Sequence, residues 1–224
     1  NDIPFLASSM ASRLIGAFPV PMNWHLSGPE ANYILNDCGA NVLVVHDDIL
    51  HRVGFKNVPD GVQVVVVRTP EVVAQAYGLT DISDEIPEGA IRWEEWLPKH
   101  DPWTEQPAME TASVIYTSGT TGRPKGVKRE ESTHEEYMLG IQIVGGVLGI
   151  QPGLRTVIPA PLYHSAPNAY AIFSLMLGGF VVIMPRFDPE ELLRLIEKHK
   201  VTRVQTVPTM FVRLLKLPEE IRKK

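Results

Sequence analysis

"TVIPAPLYHSAPNAYAIFSLMLGGFVVIMPRFDPEELLRLIEKHKVTRVQTV", residues 156–207, alternates short apolar runs with helix-like segments, and this alternation decides the fold class. "TVIP" reads as a strand and "APLYHSAP" as a loop. "NAYAIFSLML" has the length of a helix, Gly178 and Gly179 turn the chain, and "FVVIM" is a second strand. Asp188 then caps a helix with Pro189 at its first position and Glu191 three residues on. Leu192, Leu195, Ile196 and His199 lie along one side of that helix. "RVQTV" is a third strand, and a short helix runs from Thr209 to Leu215. Strands alternating with helices predict an α/β fold with largely parallel sheets and helices on their faces.

The same rhythm extends toward the amino end. Pro4 to Ile15 carries apolar residues at helical spacing, and the prolines of "GAFPVPMNW" allow only an extended passage after it. Ser27 and Glu30 form an S-x-x-E capping box for a helix with Ala31, Ile34, Leu35 and Cys38 facing inward, and Gly39 is placed to stop it. "NVLVV" and "VQVVVV" read as buried strands. Residues 78–110 are acidic and proline-punctuated and carry three of the four tryptophans, so they read as a surface excursion with aromatic anchors, with a peptide-binding patch as the alternative. "ASVIY" restores a strand, and a helix follows from about Ser132 to Leu148.

Composition narrows the function classes. The chain has 224 residues, 44% hydrophobic and 21% charged, which suits a folded globular protein and not a disordered one. A formal net charge of −5 supplies no global basic field for nucleic acid or an anionic membrane, so a bound anion needs a local site. One cysteine, Cys38, excludes an internal disulfide and a cysteine-rich zinc site, which makes the cytoplasm the expected compartment. "NDIPFLASSMASRLIGAFPV" opens on an acidic residue and holds Arg13 within its apolar run, unlike a signal peptide. The longest apolar stretches, such as "FSLMLGGFVVIM", fall short of the roughly 20 residues that a membrane-spanning helix needs.

The candidate site is "YTSGTTGRPKG", residues 116–126, directly after the "ASVIY" strand. A loop leaving the carboxyl end of a parallel strand lies where open α/β sheets place ligands. Gly119 and Gly122 let the backbone turn tightly and gather several N–H groups into one concavity. Thr117, Ser118, Thr120 and Thr121 add hydroxyls, and Lys125 adds a positive charge, with Arg123 as a second. This combination suits a polyphosphate, while composition alone leaves a plain Ser/Thr-rich surface turn as the alternative. The common G-x-x-x-x-G-K-[ST] loop does not fit, because Pro124 precedes Lys125 and Gly126 follows it, and no G-x-G-x-x-G dinucleotide motif is present in the segment.

"YTSGTTGRPKGV" resembles the phosphate-binding signature of the adenylate-forming superfamily, which includes acyl-CoA synthetases, beetle luciferases and the adenylation domains of peptide synthetases. "GAFPVPMNWHLSGPEANYILNDCGANVLVV" resembles the family's upstream segment, and "PLYHSAP" its downstream substrate-side motif. "GGFVVIMPRFDPEELLRLIEKHKVTRVQTVPTMFVRLL" is similar to the stretch that follows in acyl-CoA synthetases. The resemblance implies an enzyme that uses ATP and Mg2+ to convert a carboxylic acid to an acyl-adenylate, with coenzyme A as cosubstrate for the thioester. Fatty acids are the first expectation and aryl acids the second. Carried over by motif, Thr117, Ser118, Gly119, Thr120, Thr121 and Gly122 would wrap the β and γ phosphates, and Lys125 would order them.

His164 stands where amino-acid-activating relatives carry an aspartate for the substrate ammonium, so an amino acid substrate is disfavoured. It resembles the acyl-CoA synthetase residue between the adenylate and the acyl or thiol path; a histidine hydrogen-bonded at the start of a helix is the structural alternative. Ala166, Ala169, Tyr170 and Phe173 fit an acyl pocket or, at helical spacing, a core. The family's Thr-His pair usually follows the Gly-Val closely, whereas here "KREES" intervenes and Thr133 and His134 come later, without an assigned role. The resemblance implies that residues 1–224 are an internal fragment of a large AMP-binding N-terminal domain, inactive alone. The alternative of another class is a non-catalytic nucleotide- or phosphate-binding module.

Overall fold

A computed structural model describes residues 1–80, 82–105, 109–117 and 123–223. The chain divides into two compact units, Pro4–Ser132 in one and Asn1–Ile3 with Thr133–Lys224 in the other. Parallel sheets with helices on their faces form both, as the alternation predicts. Among the described residues no helix is long and apolar enough to cross a membrane.

The first unit begins with helix α1, Ile3–Leu14, and passes through the proline-rich link to α2, Gly28–Asp37. The amide and hydroxyl of Ser27 both donate to Glu30 Oε2, at 2.8 and 2.7 Å, and these bonds hold the Glu30 carboxyl below its usual range. Ala31, Ile34 and Leu35 are buried, Cys38 is half-buried, and Gly39 takes φ +60°, the left-handed geometry that ends a helix cheaply in glycine. Strand β1, Val42–His46, leads to α3, Asp47–Val53, then β2, Gln63–Val67, and α4, Glu71–Tyr77. Strand β3 is only Ile91–Arg92, followed by the short α5, Trp93–Trp96.

These strands pair in parallel in the order β1-β2-β3. The expectation of two buried strands holds for β2, where Val64 to Val67 are all buried, but not for β1, where Val42 is exposed and the rest half-buried. The reason is position: β2 has a neighbour on each side, and among the described residues β1 is an edge. The excursion at residues 78–110 is also more structured than its composition suggests. It supplies the third strand, and Arg92, buried, lies 3.4 Å from the buried carboxylate of Asp47 at the end of β1. Trp93 and Trp96 are half-buried anchors with ring centroids 6.4 Å apart, whereas Trp103 is exposed.

The "ASVIY" strand shortens to β4, Ile115–Thr117, and its partner is β5, Lys125–Val127. They pair antiparallel, so the expected loop at the end of a parallel strand is instead the connection of a hairpin. Among the described residues the returning "KGV" and the outgoing "IYT" form a two-stranded sheet.

In the second unit α6, His134–Leu148, starts at Thr133, whose hydroxyl accepts from the Glu136 amide at 3.2 Å. Thr133 is thus a helix cap. Strand β6, Arg155–Ile158, is followed by α7, Ser165–Met176, and β7, Phe180–Ile183. Helix α8, Pro189–His199, begins where Asp188 Oδ1 accepts from the Glu191 amide at 2.9 Å, as the sequence predicts. Strand β8 is confined to Arg203–Val204, and α9, Pro208–Leu215, and α10, Glu219–Arg222, complete the described chain. The strand order is β7-β6-β8, all parallel. Val157 of β6 packs with Met184, Leu192 and Leu195 in the core, and His199 sits half-buried at the rim of the α8 face.

Candidate functional site

The hairpin register sets Thr117 directly opposite Lys125 and Tyr116 opposite Gly126. Side chains alternate along a strand, so Thr117 and Lys125 share one face of the hairpin and Tyr116 and Gly126 the other. Thr117 and Lys125 are both exposed. Two residues expected at opposite ends of the phosphate loop are therefore neighbours at its base. Ser118, Gly119, Thr120, Thr121 and Gly122, the remaining expected loop residues, lie outside the described residues.

On the other face the Tyr116 ring lies across Gly126. A Cβ at 126 would come within 2.8 Å of that ring, so the glycine of "PKG" is required by a close approach and not by a turn. The Tyr116 hydroxyl donates to Asp37 Oδ2 at 2.6 Å. Burial and this neighbouring carboxylate push the phenol pKa well up, so Tyr116 remains a donor across the physiological range. The Tyr33 hydroxyl donates to the Pro124 carbonyl at 3.2 Å, and the Arg123 guanidinium carbon sits 5.4 Å from the Tyr33 ring centre. Lys128 is placed over the Phe18 ring at 4.0 Å.

His164 belongs to the second unit, in the loop that leaves the carboxyl end of β6. The chain goes from β6 to β7 on one side and then to β8 on the other, so this loop leaves a topological switch point, where open α/β sheets bind ligands. Side-chain amides hold the loop. Asn1 Nδ2 donates to the carbonyls of Ala160 and Met184 at 2.8 and 3.1 Å, and Asn1 Oδ1 accepts from the Leu162 amide at 2.8 Å. The buried Asn168 donates to the Leu162 carbonyl at 3.1 Å.

His164 is the residue before the first turn of α7; its backbone carbonyl accepts from the Asn168 amide, and its exposed ring stands 4.3 Å from that of Tyr163. The imidazole makes no capping hydrogen bond to the helix. Burial pushes the Tyr163 phenol pKa up. Helix α7 starts ahead of Pro167, earlier than the sequence suggests, because a proline in the first turn forfeits no helical hydrogen bond. Of the four residues at helical spacing, Tyr170 is in the core, Ala169 and Phe173 are half-buried, and Ala166 is exposed.

Sequence reasoning overlooked Tyr33, Asp37 and Asn168. A signal existed for Asn168, an amide inside an otherwise apolar helical run; Tyr33 and Asp37 read as an ordinary polar helix face. Among the described residues no group of three or more His, Cys, Asp or Glu side chains is arranged to hold a metal ion.

Comparison with known proteins agrees with the signature. The long-chain-fatty-acid–CoA ligase FadD13 of Mycobacterium tuberculosis is 26% identical over 98% of this chain and 40% of its own length. The structure of the anthranilate CoA ligase AuaEII in complex with anthranoyl-AMP matches with a TM-score of 0.72 at 28% identity, over 91% of this chain and 38% of that one. That of the o-succinylbenzoate coenzyme A synthetase of Bacillus subtilis, with ATP and magnesium, gives a TM-score of 0.68 at 26% identity, over 98% of this chain and 41% of that one. The chain thus spans about 40% of the length of the relatives it matches. A family model described as AMP-binding enzyme matches residues 1–224, and the chain belongs to that adenylate-forming family.

Proposed function

We propose that this chain is part of the N-terminal, AMP-binding domain of an ATP-dependent acid–thiol ligase that makes acyl-CoA. The observation that carries the reading is the hairpin that sets Thr117 opposite Lys125 at the base of the T-S-G-T-T-G connection. Hydroxyls and backbone amides of residues 117–122 bind the β and γ phosphates of ATP, and Lys125 adds a charge-assisted contact. A carboxylate oxygen attacks the α-phosphorus; the O–P bond forms as the bond to pyrophosphate breaks, and pyrophosphate leaves with the electron pair. The loop contributes position and charge stabilisation to that step. The coenzyme A sulfur then attacks the acyl carbonyl, AMP departs, and the thiol proton passes to solvent.

His164, exposed at the switch point, is the proposed group on the acyl and thiol side. Magnesium would arrive on the nucleotide and supply charge neutralisation of the phosphates. The relatives' names cover long-chain fatty acids and aryl acids, both matched over most of the chain; fatty acids are the first substrate class proposed and aryl acids the second. The single cysteine fits a reducing compartment such as the cytoplasm.

The test is acid-dependent ATP–pyrophosphate exchange by the complete protein that carries this chain, with fatty and aryl acids compared. Lys125→Ala is expected to slow exchange by about ten- to a hundredfold, the loss of one charge-assisted contact of about 1.5–3 kcal/mol. An unchanged rate would remove Lys125 from the site. ATP binding without acid-dependent exchange would identify a non-catalytic nucleotide-binding module instead.

A further inference from the structure

We propose that Tyr33 and Asp37 of α2 are positioning residues that hold the two ends of the phosphate loop, Asp37 through Tyr116 on the outgoing strand and Tyr33 through Pro124 on the returning chain. The inference rests on the loop function proposed above. Residues 33 and 37 are four apart on a helix and project from one face. The Asp37 carboxylate receives the Tyr116 hydroxyl at 2.6 Å, within the range of charge-assisted O–H···O⁻ bonds, immediately before Thr117. The Tyr33 hydroxyl reaches the Pro124 carbonyl at 3.2 Å, immediately before Lys125. Each contact is thus one residue from a proposed phosphate ligand.

The helix is fit for the task because it is itself anchored. Ala31, Ile34 and Leu35 are buried, and the Asn32 amide donates to the Asn57 carbonyl at 3.0 Å. Pro124, with its fixed φ, presents a carbonyl of restricted direction. Gly126 lets the Tyr116 ring lie across the returning strand, where any Cβ would lift it. The Arg123 guanidinium over the Tyr33 ring adds a second tie on the returning side. A loop held at both ends by a rigid helix loses less freedom when the phosphates arrive, and pre-organisation of this kind lowers the cost of binding.

The test uses Tyr33→Phe, Tyr116→Phe and their combination in the complete protein, with two activity readouts and one structural readout. Each single change is expected to slow ATP–pyrophosphate exchange by about three- to tenfold, the loss of one hydrogen bond. Conversion of supplied acyl-adenylate to the thioester, which involves no phosphate loop, should stay unchanged. Asp37→Asn, which retains an acceptor oxygen, should keep more exchange activity than Asp37→Ala. Amide hydrogen exchange in segments 115–117 and 123–127 should accelerate in the variants while the rest of the first unit keeps its protection. Equal loss in both half-reactions, or unaltered protection of the hairpin, would overturn the proposal. If the wild-type protein lacks acid-dependent exchange altogether, the ligase reading fails, and the hydrogen-exchange comparison still decides whether α2 holds the hairpin.

Discussion

At the carboxyl edge of the β1-β2-β3 sheet the polar side chains answer one another, whereas at the edge of the β7-β6-β8 sheet they hold the backbone and leave an ionisable group outside. In the first, Asp47 follows β1, Thr69 follows β2 and Arg92 ends β3. The Thr69 amide and hydroxyl reach Asp47 Oδ1 at 3.0 and 2.5 Å, and Arg92 Nη1 lies 3.4 Å from Oδ2. In the second, the neutral side chains of Asn1 and Asn168 hold the carbonyls of Ala160, Leu162 and Met184, and His164 is exposed. The strands have similar composition. Their order differs: the first sheet adds its strands in sequence, and the second reverses direction around β6. The edge of the sheet that adds its strands in sequence is tied by side-chain pairs, and the edge of the sheet that reverses around β6 leaves the His164 imidazole exposed.

Asp47→Ala tests the first half of this contrast and should have the largest effect. Removing one partner leaves the Arg92 guanidinium buried without its carboxylate, and a loss of about 3–5 kcal/mol in unfolding free energy is expected by denaturant titration. A loss under 1 kcal/mol would show that the pair does not tie the edge. Asn168→Ala comes next, because it strips the Leu162 carbonyl of a buried donor. The expected cost is about 1–3 kcal/mol, accompanied by reduced acid activation. His164→Ala should give the smallest stability change, within about 0.5 kcal/mol, since the ring is exposed. It should nevertheless alter acyl-adenylate or thioester formation with ATP affinity little changed. Loss of bare ATP binding in that variant would make His164 structural, and the contrast between the two edges would collapse.

The sequence made some of this legible and hid the rest for identifiable reasons. Capping signals are local, so Ser27 with Glu30 and Asp188 with Glu191 located the starts of α2 and α8 directly. β-Branched runs located β1 and β2, but exposure depends on neighbours, which is why β1 was expected to be as buried as β2. Strand β3 is two residues long, too short to display any period, and it lies within an acidic, proline-rich segment. Strand β5 hides inside the signature itself, where Lys125 and Gly126 read as loop residues until their pairing with Tyr116 and Thr117 is seen. The site residues shared that fate. Thr117, Lys125 and His164 are proposed from motif, while Tyr33 and Asp37 make their contacts with partners roughly eighty to ninety positions away.

The contacts of α2 with the hairpin are also a measuring device. Four residues of an α-helix advance about 6 Å along its axis, and paired strands run about 4.8 Å apart. One such step lets two side chains on a single helix face reach both sides of the hairpin, Asp37 at Tyr116 of β4 and Tyr33 at Pro124 just before β5. A one-residue insertion between Tyr33 and Asp37 would swing one of them about 100° around the axis and leave it unable to meet its strand. The spacing "YILND" thus works as a ruler cut to the gauge of the hairpin it holds.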